Sequence, residues 1–144
     1  MLRALELGER ARGHTGDNPH VGSLLVRDAE VLGEGWTSPP GLPHAEVNAL
    51  LACARAGHSP RGATLYCTLE PCSFWGRTPA CALTLLNHGI TRVVFAIRDP
   101  HPRVNGQGAG LLQRGGVTVT EGVAAGEVRF SLRDWLVSFE RQMS

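Results

Sequence analysis

The sequence predicts an α/β protein: a three-layer α/β/α architecture with helices on both faces of a mixed five-stranded sheet. Three observations lead there. Two strand patterns separated by only four residues, Val21–Val26 and Val31–Trp36, form an antiparallel hairpin. After the hairpin, strand and helix patterns alternate, which produces parallel βαβ units. The run Val93-Val94-Phe95-Ala96-Ile97 is almost continuously apolar, as expected of a strand buried on both faces.

Taken in order, Leu2, Leu5, Leu7 and Ala11 among charged residues make a short amphipathic helix that ends near Gly13. His14–His20 is a turn-rich loop, and Arg27–Glu30 turns the hairpin. Thr37–Leu42 is a Pro/Gly loop leading into a helix whose Val47, Leu50, Leu51 and Ala54 recur at helical spacing, with Pro43 at its first position and Gly57 stopping it. Thr64–Leu69 is a third strand that delivers Glu70-Pro71-Cys72 at its carboxyl end. A second helix runs from Pro79 to Gly89, with Thr78 as its N-cap. Beyond the Val93–Ile97 strand, Asp99–Gly108 holds too much Pro and Gly for regular structure. A short helix near Ala109–Arg114, a strand near Val117–Thr120 and one final helix from about Gly126 to Phe139 complete the chain.

At 144 residues the chain is expected to form one domain, residues 1–144, with a real core. Hydrophobic content of 42% and charged content of 19% are those of a soluble globular protein. A formal net charge of +1 with no basic run argues against nucleic acid as a partner. No uncharged apolar run is long enough for a membrane, and charge begins too early for a signal peptide. The reducing cytoplasm is the expected compartment, and no disulfide framework is expected of the four cysteines.

The chemistry concentrates in Pro43-His44-Ala45-Glu46 and in Glu70-Pro71-Cys72 through Cys81. One imidazole and two thiols supply the three protein ligands of a catalytic zinc ion and leave one tetrahedral position open. Thiolate and imidazole suit borderline-soft zinc better than calcium or magnesium. Glu46 is then the general acid/base beside the open position. Residues i and i+2 diverge within a helix, so His44 and Glu46 reach one site only from a helix N-terminus. The order H-x-E then P-C-x-x-C is the pattern of zinc-dependent deaminases, except that Cys72 and Cys81 are separated by eight residues. A closed structural zinc site would need a fourth ligand. Cys53 and Cys67 are the available thiols, but both sit in apolar periodic runs and read more simply as buried small hydrophobes.

These segments, with Asn18-Pro19-His20-Val21-Gly22, Gly62–Tyr66, Thr68–Ser73, Gly76–Pro79, Gly89–Val94 and Asp99-Pro100, resemble the riboflavin-biosynthesis pyrimidine deaminases across nearly the whole chain, wide cysteine spacing included. The resemblance implies a cytidine-deaminase-like fold and hydrolytic removal of an exocyclic amine from a diaminopyrimidinone ribosyl phosphate. It assigns zinc to His44, Cys72 and Cys81 and proton transfer to Glu46. It also implies self-association as a dimer or tetramer. Because the chain ends at Ser144, the reductase step is expected from a separate polypeptide.

Substrate contacts are open to two readings each. Asn18 either hydrogen-bonds a pyrimidine edge or is an ordinary turn residue. Arg77 either clamps a phosphate or is a solvated loop cation. Asp99, with Asn105 and the Gly106 loop, either approaches a ribose phosphate through backbone N–H groups or is a plain connector. Trp36 either flanks the pocket or fills the core. His14, His20, His58, His88 and His101 have no paired ligand spacing and read as loop or helix-end residues. The chain departs from the family's usual residues at Thr37, Phe74, Ala80 and His101, which leaves the metal chemistry in place and moves substrate choice. The alternative substrates are other aminated nucleobases, nucleosides or nucleotides. A zinc-binding module without catalysis would have no use for Glu46.

Overall fold

Asp28 and Ala29 take positive φ values of 52° and 64°, the left-handed pair of a two-residue turn, and fold β1 (Gly22–Arg27) back on β2 (Glu30–Trp36). The computed structural model describes residues 1–73, 80–102 and 104–143. Around the hairpin lie α1 (Leu2–Ala11), α2 (Ala45–Arg55), β3 (Thr64–Leu69), α3 (Cys81–Asn87), β4 (Arg92–Ile97), α4 (Gln107–Arg114), β5 (Thr118–Glu121), α5 (Ala125–Ser131) and α6 (Arg133–Met143).

The sheet order is β2-β1-β3-β4-β5. β1 runs antiparallel to β2 and β3, while β3, β4 and β5 are parallel, so the sheet is mixed as the sequence predicts. The two parallel crossovers carry α3 and α4 on the same face as α2, because neighbouring parallel strands are joined right-handedly. Helices α1 and α5 pack together on the other face. Leu25, Leu65, Val93 and Phe95 of the strands close with Ala49, Cys53, Leu85 and Leu112 into the main core. Ala4, Leu7 and Leu24 form a smaller cluster beneath α1.

One contact fixes where the first site helix points. Helix α2 lies directly on β2, and a Cβ added to Gly35 would stand 2.4 Å from both the Ala45 carbonyl oxygen and the Ala49 nitrogen. Only a residue without a side chain permits that approach. The N-termini of α2 and α3 and the carboxyl ends of β3 and β4 then meet at one edge of the sheet.

Three expectations are corrected. Helix α2 begins at Ala45 with His44 as N-cap, in extended geometry (φ −72°, ψ 170°), so Pro43 precedes the cap and is not the first helical residue. The final helix is two helices, broken at Leu132. There the Ser131 carbonyl accepts hydrogen bonds at 3.1 Å from the Arg12 guanidinium and from the His20 ring, which diverts it from the helical ladder while Leu132 turns inward to burial. Helix α4 starts at Gln107, two residues before the expected Ala109. The expected Thr78–Pro79 cap lies outside the described residues, and the residue preceding α3 is Ala80, with φ −56° and ψ 128°.

Candidate active site

His44 leaves the chain at the start of α2 and opens onto a cavity of about 730 Å³. Glu46, in the first helical turn, is only 5% exposed and lines the same cavity. The N-terminal position resolves the i, i+2 problem: the two side chains converge because they project off the end of the helix instead of around its barrel. Strand β3 carries the chain to Cys72, and α3 begins at Cys81, whose backbone N–H donates to Cys72 Sγ at 3.2 Å. The helix start therefore supports the sulfur of Cys72.

His44, Cys72 and Cys81 each present one ligand atom, all within 4.8 Å of one another, and among the described residues they are the one such group. The His44 Nδ1 to Cys81 Sγ distance is 3.3 Å. Tetrahedral zinc with ordinary Zn–S and Zn–N bonds separates its ligand atoms by about 3.5–3.8 Å. One imidazole and two thiols at this spacing fit that ion with small side-chain adjustments.

The three groups share their protons unequally. Cys72 is held as the thiolate, with its pKa lowered to about 4 by a hydrogen bond from the Cys81 thiol, then by His44 and the Cys81 amide. Cys81 keeps the shared proton, because its neighbour is the thiolate and it is itself buried. The hydrogen bond to Cys72 raises the His44 pKa, favouring a donor ring. Burial raises the Glu46 pKa, so this carboxyl accepts a proton more readily than an exposed one.

Asn18, Thr37, Asp99 and His101 also line the cavity. Thr37 turns its hydroxyl to the neighbouring loop, accepting from the Val21 amide at 2.9 Å and donating to the Pro19 carbonyl at 3.2 Å. Asp99 is half-buried, its pKa raised by burial, and its Oδ1 accepts the His101 amide at 2.9 Å. Asn105 stays exposed and is not among the residues lining the cavity. Trp36 lies elsewhere, beneath the Arg10 guanidinium at 5.1 Å from its ring. Arg77 and Phe74 lie outside the described residues.

Three groups were not visible in the sequence. Glu70, 3% exposed, accepts the Asp99 and Gly106 amides on Oε1 at 3.3 and 3.0 Å and the Ala109 amide on Oε2 at 3.0 Å. The Asp99 and Gly106 backbone donors of the loop read as a phosphate cradle are thus engaged by a buried carboxylate, whose only sequence signal is an acidic residue closing an apolar strand. Cys67 is not merely a small hydrophobe, because its thiol donates to Glu46 Oε1 at 3.1 Å. Trp135 and Phe139 of α6 form part of the cavity wall, with ring centroids 5.9 Å apart and His101 6.1 Å from Phe139.

Residues 1–97 match the family model described as the cytidine and deoxycytidylate deaminase zinc-binding region. The chain is 47% identical over 127 residues to the riboflavin biosynthesis protein RibD of Escherichia coli, covering 88% of this chain and 34% of that one. It therefore spans about a third of that relative's length. It is 41% identical over 127 residues to the diaminohydroxyphosphoribosylamino-pyrimidine deaminase of Buchnera aphidicola subsp. Acyrthosiphon pisum, covering 88% of this chain and 84% of that one. The crystal structure of a diaminohydroxyphosphoribosylaminopyrimidine deaminase/5-amino-6-(5-phosphoribosylamino)uracil reductase from Thermotoga maritima superposes with a TM-score of 0.93 at 37% identity, over 99% of this chain and 40% of that one. The chain belongs to the cytidine and deoxycytidylate deaminase family, on its branch of diaminohydroxyphosphoribosylaminopyrimidine deaminases, which are hydrolases.

Proposed function

We propose that this domain removes the exocyclic amine of a diaminopyrimidinone ribosyl phosphate, a riboflavin precursor, by hydrolysis. One observation carries the reading: His44 and Cys72 share a cavity with a buried carboxyl, Glu46, and the Cys81 sulfur stands within 4.8 Å of the His44 and Cys72 ligand atoms. His44, Cys72 and Cys81 would hold zinc, which when bound makes water acidic enough to attack at neutral pH. Glu46 takes a proton from the attacking water, passes it to the ring nitrogen, and helps the amine leave as ammonia. Burial suits Glu46 to this shuttle, since a carboxyl with a raised pKa holds the proton between the two transfers. Asn18 and Asp99 are the described side chains proposed to orient the substrate; Arg77 is proposed for its phosphate.

A second reading is deamination of another nucleobase, nucleoside or nucleotide. It draws on Thr37, whose hydroxyl serves the loop at Pro19 and Val21. Among the described residues no helix is long and apolar enough to cross a membrane. The test is ammonia release from the diaminopyrimidinone ribosyl phosphate and from cytosine, guanine and adenine derivatives, with zinc measured alongside. Glu46→Gln is expected to keep zinc and lose turnover. Near-native turnover in that variant removes Glu46 from the mechanism, and release only from another base selects the second reading.

A further inference from the structure

Behind Glu46, on the side away from the cavity mouth, stands a short buried hydrogen-bond chain. Ser23 on β1 and Cys67 on β3 are direct cross-strand partners. The Ser23 hydroxyl donates to Cys67 Sγ at 3.2 Å, and the Cys67 thiol donates to Glu46 Oε1 at 3.1 Å. Ser23 and Cys67 are 0% exposed and Glu46 is 5% exposed. Cys67 sits within the main core of Leu, Val and Phe, where valine is the volume-conserving apolar choice. Two polar groups at such positions cost desolvation unless each has a partner, and here each one does.

We propose that Ser23 and Cys67 form a positioning relay for the proton-carrying carboxyl, with Cys67 fixing the orientation of Glu46 and Ser23 fixing that of Cys67. This rests on the proton role proposed for Glu46. A carboxyl near the start of a helix has free torsions, and proton transfer demands hydrogen-bond reach to both the water and the ring nitrogen. A donor behind Oε1 pins the group from the sheet. Burial keeps the Cys67 thiol protonated, so it remains a donor whichever protonation state Glu46 takes during the cycle. A thiol is a weak donor, and that suits a partner that must hold the carboxyl without making it too poor a base.

The experiment uses the whole chain. Cys67→Val removes the donor and conserves volume, Cys67→Ser restores a donor, and Ser23→Ala removes the distal link. With the diaminopyrimidinone ribosyl phosphate, Cys67→Val is expected to lower kcat about tenfold, the lower range for loss of a partner that orients a site residue. KM, zinc content and the thermal midpoint should stay near native, Cys67→Ser should recover most of the loss, and Ser23→Ala should lose less than Cys67→Val. A readout independent of turnover is the infrared S–H band of Cys67, isolated as native minus Cys67→Val. It should move to higher frequency in Glu46→Gln, whose neutral amide oxygen is the weaker acceptor. Native kcat in Cys67→Val, or an S–H band indifferent to Glu46→Gln, overturns the relay. If Cys67→Val is fully active while Glu46→Gln is dead, the relay alone fails. If Glu46→Gln turns over normally, the proton role proposed for Glu46 fails.

Discussion

Replacing Glu70 with Gln tests whether one buried carboxylate holds the loop that shapes the cavity. Its Oε1 serves two amides, Asp99 and Gly106, and its Oε2 serves one, Ala109. A glutamine amide places its single oxygen against the pair and turns its NH2 toward the Ala109 N–H, setting donor against donor. A buried donor without a partner costs about 1–3 kcal/mol, and loss of charge assistance weakens each of the other two bonds by roughly 0.5–1 kcal/mol. The sum is about 3 kcal/mol, a large share of the ~5–15 kcal/mol that holds a domain together. At roughly 2–4 °C per kcal/mol for a chain of this size, the thermal midpoint should fall by about 6–12 °C. Circular dichroism melts read the midpoint, and zinc content reads the ligands. Cys72 lies two residues away on a segment anchored by β3, so zinc binding should persist while KM rises through the displaced Asp99 and His101. A midpoint within about 1 °C of native would refute the reasoning, because these three amide bonds cannot then depend on this side chain.

Chelation should lower the thermal midpoint without abolishing the far-ultraviolet helix and strand signal, since the main apolar core does not include the metal ligands; at a free zinc concentration of ~100 Kd the linkage is about 2.7 kcal/mol, and Cys72→Ser should block recovery when zinc is returned. Phe139→Ala should raise KM roughly three- to tenfold with kcat little changed, the equivalent of an aromatic contact of about 0.5–1.5 kcal/mol, and an unchanged KM for every active substrate would show that α6 does not touch it. Acid should loosen the α1–α5 contact. The Glu9 pKa falls from 4.5 to about 2 beside Arg12, so its stabilisation is complete above pH 4.5 and disappears as pH falls through about 2. Burial lowers the His20 pKa, so its neutral form is favoured by folding and stability erodes as pH falls below the usual 6.5. Glu9→Gln should flatten the acid limb of a midpoint-against-pH curve with an effect below about 1 kcal/mol, since the Glu9–Arg12 pair is substantially exposed.

The grouping of His44, Cys72 and Cys81 was legible because the chemistry proposed for it needs particular atoms in a particular order. An imidazole two residues before a carboxylate, then two thiols, leaves few other uses, and a Pro before His44 marked a helix start to within two residues. The sheet was legible because period-two patterns and the apolar Val93–Ile97 run are one-dimensional signals of burial. What escaped notice depends on contacts remote in sequence. Glu70 looks like any acidic residue after a strand until Gly106 and Ala109 fold back on it. Cys67 looks like a hydrophobe until β3 is laid beneath α2. The break at Leu132 is invisible in an otherwise continuous helical pattern, because its cause is Arg12 and His20, more than a hundred residues away.

That break divides the cavity by the reach of its tethers. One wall carries His44, Glu46 and Cys72, held by the start of α2 and the end of β3. The opposite wall, with Asn18 on one loop and Phe139 on α6, is closed by a knot of Glu9, Arg12, His20 and Ser131 that draws together opposite ends of the sequence. A cut between β5 and α5 would leave α6 and Phe139 held to the fold by non-covalent contacts such as this knot, while His44, Cys72 and Cys81 keep their anchors at α2, β3 and α3. The two sides of the cavity can therefore loosen separately.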